Sequence, residues 1–91
     1  MSGTVAVIVK LMPESPDIRL WDIRDEVANV LEQPGAQNIS FEEKAMAFGL
    51  RALFVKFAWP EDEDTSVFED SLGKIVGVSS VQVEDYRRAF G

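Results

Sequence analysis

The ten residues Leu50–Trp59, with the sequence LRALFVKFAW, carry the most pronounced β-strand pattern of the chain and end at Pro60. Successive side chains of a strand point to opposite faces of a sheet, so this stretch divides into two alternating sets. The apolar set predicts a core-facing side and comprises Leu53, Val55, Phe57 and Trp59. The other set predicts the opposite face and comprises Ala52, Phe54, Lys56 and Ala58.

Three further stretches have the β-branched or alternating pattern of strands and complete a predicted sheet of four. They are Thr4–Met12, Asn38–Glu42 and Val78–Tyr86. The first is apolar on both faces, which is typical of a central strand, and it ends at Pro13. The second is followed by a predicted bend over residues 42–44 and pairs antiparallel with Leu50–Trp59. In the last strand, Val81 and Val83 are predicted to point inward.

A first helix is predicted between the first two strands, because apolar residues recur there at helical spacing. The apolar positions are Leu20, Ile23, Val27, Val30 and Leu31. Its amino terminus is predicted at Ser15 as N-cap, with Pro16 in the first helical position, or at Asp17 one step later. Pro34 and Gly35 predict its end.

A second helix is predicted between the last two strands. Ser66 and Glu69 have the spacing of a capping box at its amino terminus. Gly77 is its predicted carboxyl-terminal stop. Its apolar positions are Phe68, Leu72 and Ile75. The acidic run over residues 61–64 precedes this helix, where negative charge interacts favourably with the helix dipole.

The elements follow one another in the order βαββαβ without a linker or an internal repeat, so residues 1–91 are predicted to form a single domain. Right-handed βαβ crossovers place both helices on one face of a four-stranded antiparallel sheet. The predicted fold class is therefore α+β, a ferredoxin-like sandwich. The other sheet face is predicted to be open, with Lys10, Phe54, Lys56 and Gln82 on it. Because this fold serves many functions, function has to be argued from individual residues.

The composition excludes much of enzyme chemistry. The chain has no cysteine and no histidine, which excludes thiolate and imidazole metal ligands and Ser-His-Asp catalysis. The acidic run at residues 61–64 could hold a metal ion only if its carboxylates converged, which a solvated loop seldom allows, so we expect no metal site. Nine basic against sixteen acidic residues give a net charge of −7, which disfavours nucleic acids and anionic membranes as partners. The apolar runs are too short to span a bilayer, the amino terminus lacks the basic region of a signal peptide, and a cytoplasmic location is expected.

Several functions of ferredoxin-like domains are disfavoured by particular residues. The loop Pro13–Asp17 is acidic and lacks the arginine with which an acylphosphatase holds phosphate. A copper chaperone requires a cysteine pair. RNA recognition on the open face requires two aromatic residues two positions apart, but Ala52 takes the place of the partner of Phe54, and Phe57 points inward. A small-molecule-sensing regulatory domain stays an alternative, although Pro13–Asp17 contains no glycine for a ligand-binding turn.

Several motifs together resemble the archaeal translation elongation factor 1-beta family over nearly the full length of the chain. They are MPESPD at Met12–Asp17, AFGL at Ala47–Leu50, and GVS at Gly77–Ser79 leading to VEDYRR at Val83–Arg88. The first two are specific in this order and at this spacing. The resemblance implies a ferredoxin-like domain, in agreement with the element order. It also implies a guanine nucleotide exchange factor for elongation factor 1-alpha, the GTPase that delivers aminoacyl-tRNA to the ribosome.

The resemblance further implies which residues bind the GTPase. Phe48 and Gly49 match the FG motif of the family, at or near the surface that faces the GTPase. Without this role, Phe48 is a core or hairpin residue and Gly49 a glycine that permits the crossover between strands. Arg87 and Arg88 lie where eukaryotic relatives place a penultimate lysine directed at the magnesium site of the GTPase. Here the penultimate residue is Phe90, so the positive charge is shifted by a few positions, and the alternative is that both arginines form a solvated tail.

These observations predict a cytoplasmic guanine nucleotide exchange factor whose partner is the GTPase elongation factor 1-alpha. Such exchange involves no covalent chemistry, so the resemblance implies that the chain is not an enzyme and needs no bound cofactor, in agreement with a composition that lacks histidine and cysteine. The alternatives are a small-molecule-sensing regulatory domain and a structural subunit without exchange activity.

Overall fold

The computed structural model describes residues 3–88, which build one four-stranded sheet and two helices. The strands are β1 (Thr4–Pro13), β2 (Gln37–Ala45), β3 (Arg51–Pro60) and β4 (Val78–Arg88). The helices are α1 (Arg24–Glu32) and α2 (Ser66–Gly73), and short 3₁₀ turns cover Leu20–Ile23 and Ala47–Gly49. The strand order is β2-β3-β1-β4, and every neighbouring pair is antiparallel. The predicted ferredoxin-like α+β fold is confirmed.

Both helices pack on one face of the sheet, and the core lies between them and the strands. The predicted inward set of β3 is no more than 2% exposed and comprises Leu53, Val55, Phe57 and Trp59. The core residues that β1 adds are Val5, Val7, Val9 and Leu11. The buried helix residues against them are Val27, Leu31, Phe68 and Leu72. This alternation fixes the strand register, because a shift by one residue would turn each apolar set to the opposite face.

Three aromatic rings form a cluster where α2 packs on β3. The rings of Phe57 and Trp59 both meet Phe68 edge to face, with centroid distances of 5.2 and 4.9 Å. The indole Nε1 of Trp59 donates a 3.1 Å hydrogen bond to the carbonyl oxygen of Glu63, so the polar atom of this buried ring has a partner. The cluster therefore ties α2 and the loop before it to the centre of the sheet.

Strand β2 is longer than predicted. Residues 42–44, predicted as a bend, continue its ladder with β3. Their charged side chains are tolerated because β2 is an edge strand with one side open to water. Glu43 also forms a cross-strand ion pair with Arg51, with 3.1 Å between Oε1 and Nη1. The run of charge therefore did not mark the end of the strand.

Strand β4 is also longer than predicted. Its pairing with β1 continues past Tyr86 to Arg88, with a register shift on the way. Because β4 forms the other edge of the sheet, Val81 and Val83 face inward but are only partly buried. The main-chain partner on β1, and not the side-chain pattern of β4, sets where this strand ends.

The first helix begins later than predicted. Ser15–Ile18 form a turn that is closed by a 3.1 Å hydrogen bond from the N–H of Ile18 to the carbonyl oxygen of Ser15. Pro16 takes the second position of this turn. Proline is favoured both there and in the first position of a helix, so the same residue fits either structure. Helical structure starts only at the 3₁₀ turn Leu20–Ile23, and neither Ser15 nor Asp17 is an N-cap.

The capping box predicted from Ser66 and Glu69 is wrong. The N-cap residue of α2 is Thr65, and no side chain of the N-cap bonds to the helix. The carboxylate of Asp64 instead accepts a 2.9 Å hydrogen bond from the backbone N–H of Ser66. The helix also ends well before Gly77, which lies in the following turn.

The second face of the sheet is open, as predicted. Lys10 pairs with Phe54 on one side and with Gln82 on the other, and all three lie on this face. The ammonium group of Lys44 lies 4.5 Å from the centroid of the Phe54 ring. A hollow of about 310 Å³ beside this ring includes Ile8 in its lining. A cation already covers Phe54, and among residues 3–88 this face does not present the pair of stacking rings that RNA recognition requires.

Candidate functional site

Three chain connections meet at one end of the sheet, which we call the loop end. They are the β1–α1 loop (residues 14–19), the β2–β3 connection (46–50) and the α2–β4 turn (74–77). They come together because β1 and β2 end where β3 and β4 begin, as antiparallel pairing requires. The loop end therefore collects residues that are far apart in the sequence.

The β1–α1 loop lies beside both of the other connections. A β-carbon added to Gly49 would lie 3.9 Å from the Cβ of Pro16, and one added to Gly77 would lie 3.1 Å from the Cγ2 of Ile18. The backbone N–H of Glu14 donates a 2.9 Å hydrogen bond to the carbonyl oxygen of Gly77. The three connections therefore form one continuous surface.

Phe48 projects from this surface. Its side chain is 92% exposed, more than any other large hydrophobic residue among residues 3–88. Its backbone has φ 63° and ψ 27°, the left-handed region that is costly for a bulky side chain. Gly49 follows with φ 75°, where glycine has no such cost. A 2.7 Å hydrogen bond from the N–H of Met46 to the carbonyl oxygen of Leu50 closes the connection, so Phe48 is an exposed hairpin residue and not a core residue.

A second exposed apolar residue at the loop end was missed by the sequence analysis. Val76 is 90% exposed, while its neighbours Ile75 and Gly77 are buried. An apolar residue between a helix and a strand has the same sequence signature whether it faces the core or the solvent. The one available signal was the glycine that follows it, which marks a turn at this point.

Arg87 and Arg88 lie at the opposite end of the sheet, within β4 and not in a tail beyond the last strand. The Nε of Arg87 lies 3.0 Å from Oδ2 of Asp85, and Arg88 forms an ion pair with Glu61. The two arginine side chains are 79% and 77% exposed. Exposed ion pairs contribute little to stability, so both guanidinium groups can exchange these partners for others at small cost. The penultimate Phe90 lies outside the described residues.

The four residues that the resemblance assigned to GTPase binding do not form one site. Arg88 pairs with Val5, and β1 runs eight residues from there to Pro13 at the loop end. At roughly 3.3 Å per residue, the two ends of the sheet are about 26 Å apart. Phe48 and Gly49 therefore form one group, and the arginine pair forms another.

The acidic run at residues 61–64 has structural partners. Hydrogen bonds from the backbone N–H of Ser66, and then from its hydroxyl, lower the pKa of Asp64 below its ordinary value. Glu61 pairs with Arg88. Across residues 3–88, no group of three or more acidic side chains is placed to hold a metal ion. Neither helix in this part of the chain is long and apolar enough to cross a membrane.

Comparison with known proteins places the chain in a family of exchange domains. Residues 6–89 match the model of the EF-1 guanine nucleotide exchange domain. The elongation factor 1-beta of Methanothermobacter thermautotrophicus is 38% identical over 87 residues, which cover 94% of this chain and 97% of that protein. The elongation factors 1-beta of Halorubrum lacusprofundi and Methanosarcina barkeri are 39% and 34% identical, each over 94% of this chain and 98% of the relative. The chain belongs to the EF-1 guanine nucleotide exchange domain family.

Family membership supports guanine nucleotide exchange on elongation factor 1-alpha and does not favour the small-molecule-sensing alternative. The motifs that carry the resemblance are distributed unevenly over the structure. Met12–Asp17, Ala47–Leu50 and Gly77–Ser79 all lie at or beside the loop end, whereas Val83–Arg88 runs along β4 to the other end. The loop end, with Phe48 at its tip, is therefore the candidate functional site.

Proposed function

We propose that this chain, as a single exchange domain over residues 1–91, accelerates the release of GDP from the GTPase elongation factor 1-alpha in the cytoplasm. It acts by binding the GTPase, and it makes and breaks no covalent bond. Because no covalent bond changes, we assign no catalytic side chain, cofactor or metal to this chain. The net charge of −7 disfavours nucleic acids and anionic membranes as additional partners.

Phe48 is the single observation that carries the proposal. Its ring is 92% exposed and its backbone is left-handed, and both features raise the free energy of the isolated domain. Full burial of such a side chain in an apolar pocket of a partner yields about 1.5–3 kcal/mol. The hairpin and Pro16 hold the backbone beside the ring in place, so little conformational entropy is lost on binding.

The mechanism follows from thermodynamic linkage. A GTPase holds GDP through its phosphate-binding loop and Mg²⁺ acting together. A partner that binds the nucleotide-free GTPase more tightly than the GDP-bound form weakens GDP binding by the same factor. Phe48 supplies this difference if its pocket opens fully only when the contacts to GDP have loosened. Each 1.4 kcal/mol of difference corresponds to about a tenfold change in GDP affinity.

Arg87 and Arg88 form a second proposed contact with the GTPase, separate from the first. A distance of about 26 Å prevents the ring and the guanidinium groups from acting on the same atoms of the partner. We assign the response to the nucleotide state to the loop end, and added electrostatic attraction to the arginine pair. Arg87 and Arg88 project from opposite faces of β4, and each exposed guanidinium group suits an acidic side chain on the partner.

The proposal is tested by the rate at which fluorescently labelled GDP leaves elongation factor 1-alpha, measured with and without this chain in excess unlabelled nucleotide. We expect release to accelerate at least tenfold and to saturate as the chain is added. An equal concentration of serum albumin, which is also acidic, controls for non-specific effects. Release that stays at its spontaneous rate with a stoichiometric amount of the chain would contradict the proposal.

A further inference from the structure

The α2–β4 turn exposes a valine that the fold does not require. The N–H of Val78 donates a 3.1 Å hydrogen bond to the carbonyl oxygen of Ile75, which makes Val76 and Gly77 the two central residues of a turn. Gly77 has φ 99°, a backbone conformation that favours glycine at this position of the turn. Proline or a polar residue is the usual choice at the position before it. Val76 places a β-branched apolar side chain there, 90% exposed to water.

The turn around Val76 is held rigidly in the loop end. The carbonyl oxygen of Gly77 accepts the 2.9 Å hydrogen bond from Glu14, and a β-carbon at Gly77 would come within 3.1 Å of Ile18, a tight contact. On its other side the same β1–α1 loop places Pro16 beside Gly49. Val76 and the hairpin tip are thus fixed to the two flanks of one loop. With strands about 4.8 Å apart, the two apolar residues are separated by on the order of 12 Å.

We infer that Val76 is a second apolar contact for the same GTPase, an inference that rests on the proposed function. The partner surface that fits the loop end has a deep apolar pocket for Phe48 and a shallow apolar area for Val76. Between them it faces the exposed carboxylates of Glu14 and Asp17, so basic side chains on the GTPase suit the intervening strip.

The two apolar residues differ in what they contribute. A valine side chain extends only two bonds from the backbone, and on a rigid turn it touches a surface without entering a pocket. Its contact is therefore the same whether or not GDP is bound. Uniform binding of this kind changes the concentration at which an exchange factor half-saturates, and it leaves the maximal rate unchanged. Val76 is an anchor, and Phe48 is the residue whose contact depends on the nucleotide state.

The test titrates three variants of the full chain into elongation factor 1-alpha loaded with labelled GDP. Val76→Asp removes the apolar contact and adds a charge, and Val76→Ile keeps the contact. Asn29→Asp adds the same charge on the exposed side of α1 and is the matched control. Thermal unfolding verifies that each variant folds.

We expect Val76→Asp to raise the half-saturating concentration at least tenfold with an unchanged maximal rate, while Val76→Ile and Asn29→Asp stay within twofold of wild type. A half-saturating concentration for Val76→Asp equal to that of wild type would overturn the inference and leave the proposed function intact. A lowered maximal rate at unchanged half-saturation would also overturn it, because Val76 would then respond to the nucleotide state. Failure of the wild-type chain itself to accelerate release counts against the proposed function instead.

Discussion

Pro16 lies beside Gly49, where a β-carbon added to the glycine would be in ordinary van der Waals contact with the Cβ of the proline, at 3.9 Å. This proximity brings together the MPESPD and AFGL motifs, which lie in the loop after β1 and in the connection before β3. Pro16 and Gly49 are both exposed, and Phe48 projects next to them. The two motifs therefore form one surface, and packing of the core does not account for their exposed residues.

Alanine at the two loop-end glycines is expected to have unequal effects on stability. Gly49→Ala meets only ordinary contact with Pro16, so the left-handed backbone at φ 75° sets its cost, about 1 kcal/mol. At Gly77, φ is 99° and a β-carbon would also lie 3.1 Å from Ile18. We therefore expect Gly77→Ala to lower the free energy of unfolding by about 2–3 kcal/mol. Urea unfolding of both variants measures the difference. An equal loss in the two would show that the β1–α1 loop does not pack tightly on the α2–β4 turn.

Leu53→Ala is expected to lower the free energy of unfolding by about 2–5 kcal/mol, because Leu53 is fully buried at the centre of the sheet. Lys56→Ala on the same strand is the matched control, since its side chain lies on the exposed face. It should change stability by no more than about 0.5 kcal/mol. Denaturant unfolding of both variants checks the assignment of the two faces, which is wrong if the loss for Leu53→Ala is below about 1 kcal/mol.

Asp64 is expected to make part of the stability dependent on pH. Its pKa is lowered in the folded chain by the hydrogen bond from the backbone N–H of Ser66. A lowered pKa adds stability above the unfolded value of about 3.9, and this contribution is lost as the pH falls through the folded value. Asp64→Asn keeps an acceptor oxygen and removes the charge. Unfolding measured from pH 7 to pH 2.5 should show the advantage of wild type over this variant shrinking below about pH 4, and a difference that is constant with pH would refute the assignment.

Arg87→Gln/Arg88→Gln tests the second proposed contact. Glutamine is preferable to glutamate here, because a glutamate at position 88 would stand beside Glu61. Loss of a charged hydrogen bond of about 1.5–3 kcal/mol should raise the half-saturating concentration for stimulated GDP release about ten- to a hundredfold and leave the maximal rate unchanged, because the loop end carries the response to the nucleotide state. We expect the effect at low and at physiological salt, with unchanged circular dichroism. A modest effect that disappears as salt rises would mean that the arginines act only by screened, distant attraction.

The sequence predicted the centre of the fold well because burial governs it. The alternation in β3 and β1 and the helical stripe around Val27 were sufficient to place the core and its faces. The edges were predicted less well, since β2 and β4 extend for as long as a neighbouring strand offers hydrogen-bond partners. The predicted start of the first helix was wrong because Pro16 is favoured in the second position of a turn as well as in the first position of a helix.

The candidate site was only partly predictable. Phe48 was indicated by resemblance to a family, and no residue pattern distinguished an exposed ring from a buried one. Val76 was missed because exposure at a turn depends on the direction in which α2 leaves the sheet. The distance between the loop end and Arg88 depends on strand length and register, which a list of motifs does not contain.

The most direct test of the account compares stimulated GDP release by wild type, Phe48→Asn and Phe48→Leu at saturating concentrations. Asparagine tolerates the left-handed backbone, so Phe48→Asn removes the ring and preserves the hairpin. We expect its unfolding free energy to equal or slightly exceed that of wild type while its maximal release rate falls at least tenfold. Phe48→Leu, which keeps an apolar side chain, should retain most of the stimulation. A wild-type maximal rate for Phe48→Asn would contradict the assignment of the nucleotide response to the loop end.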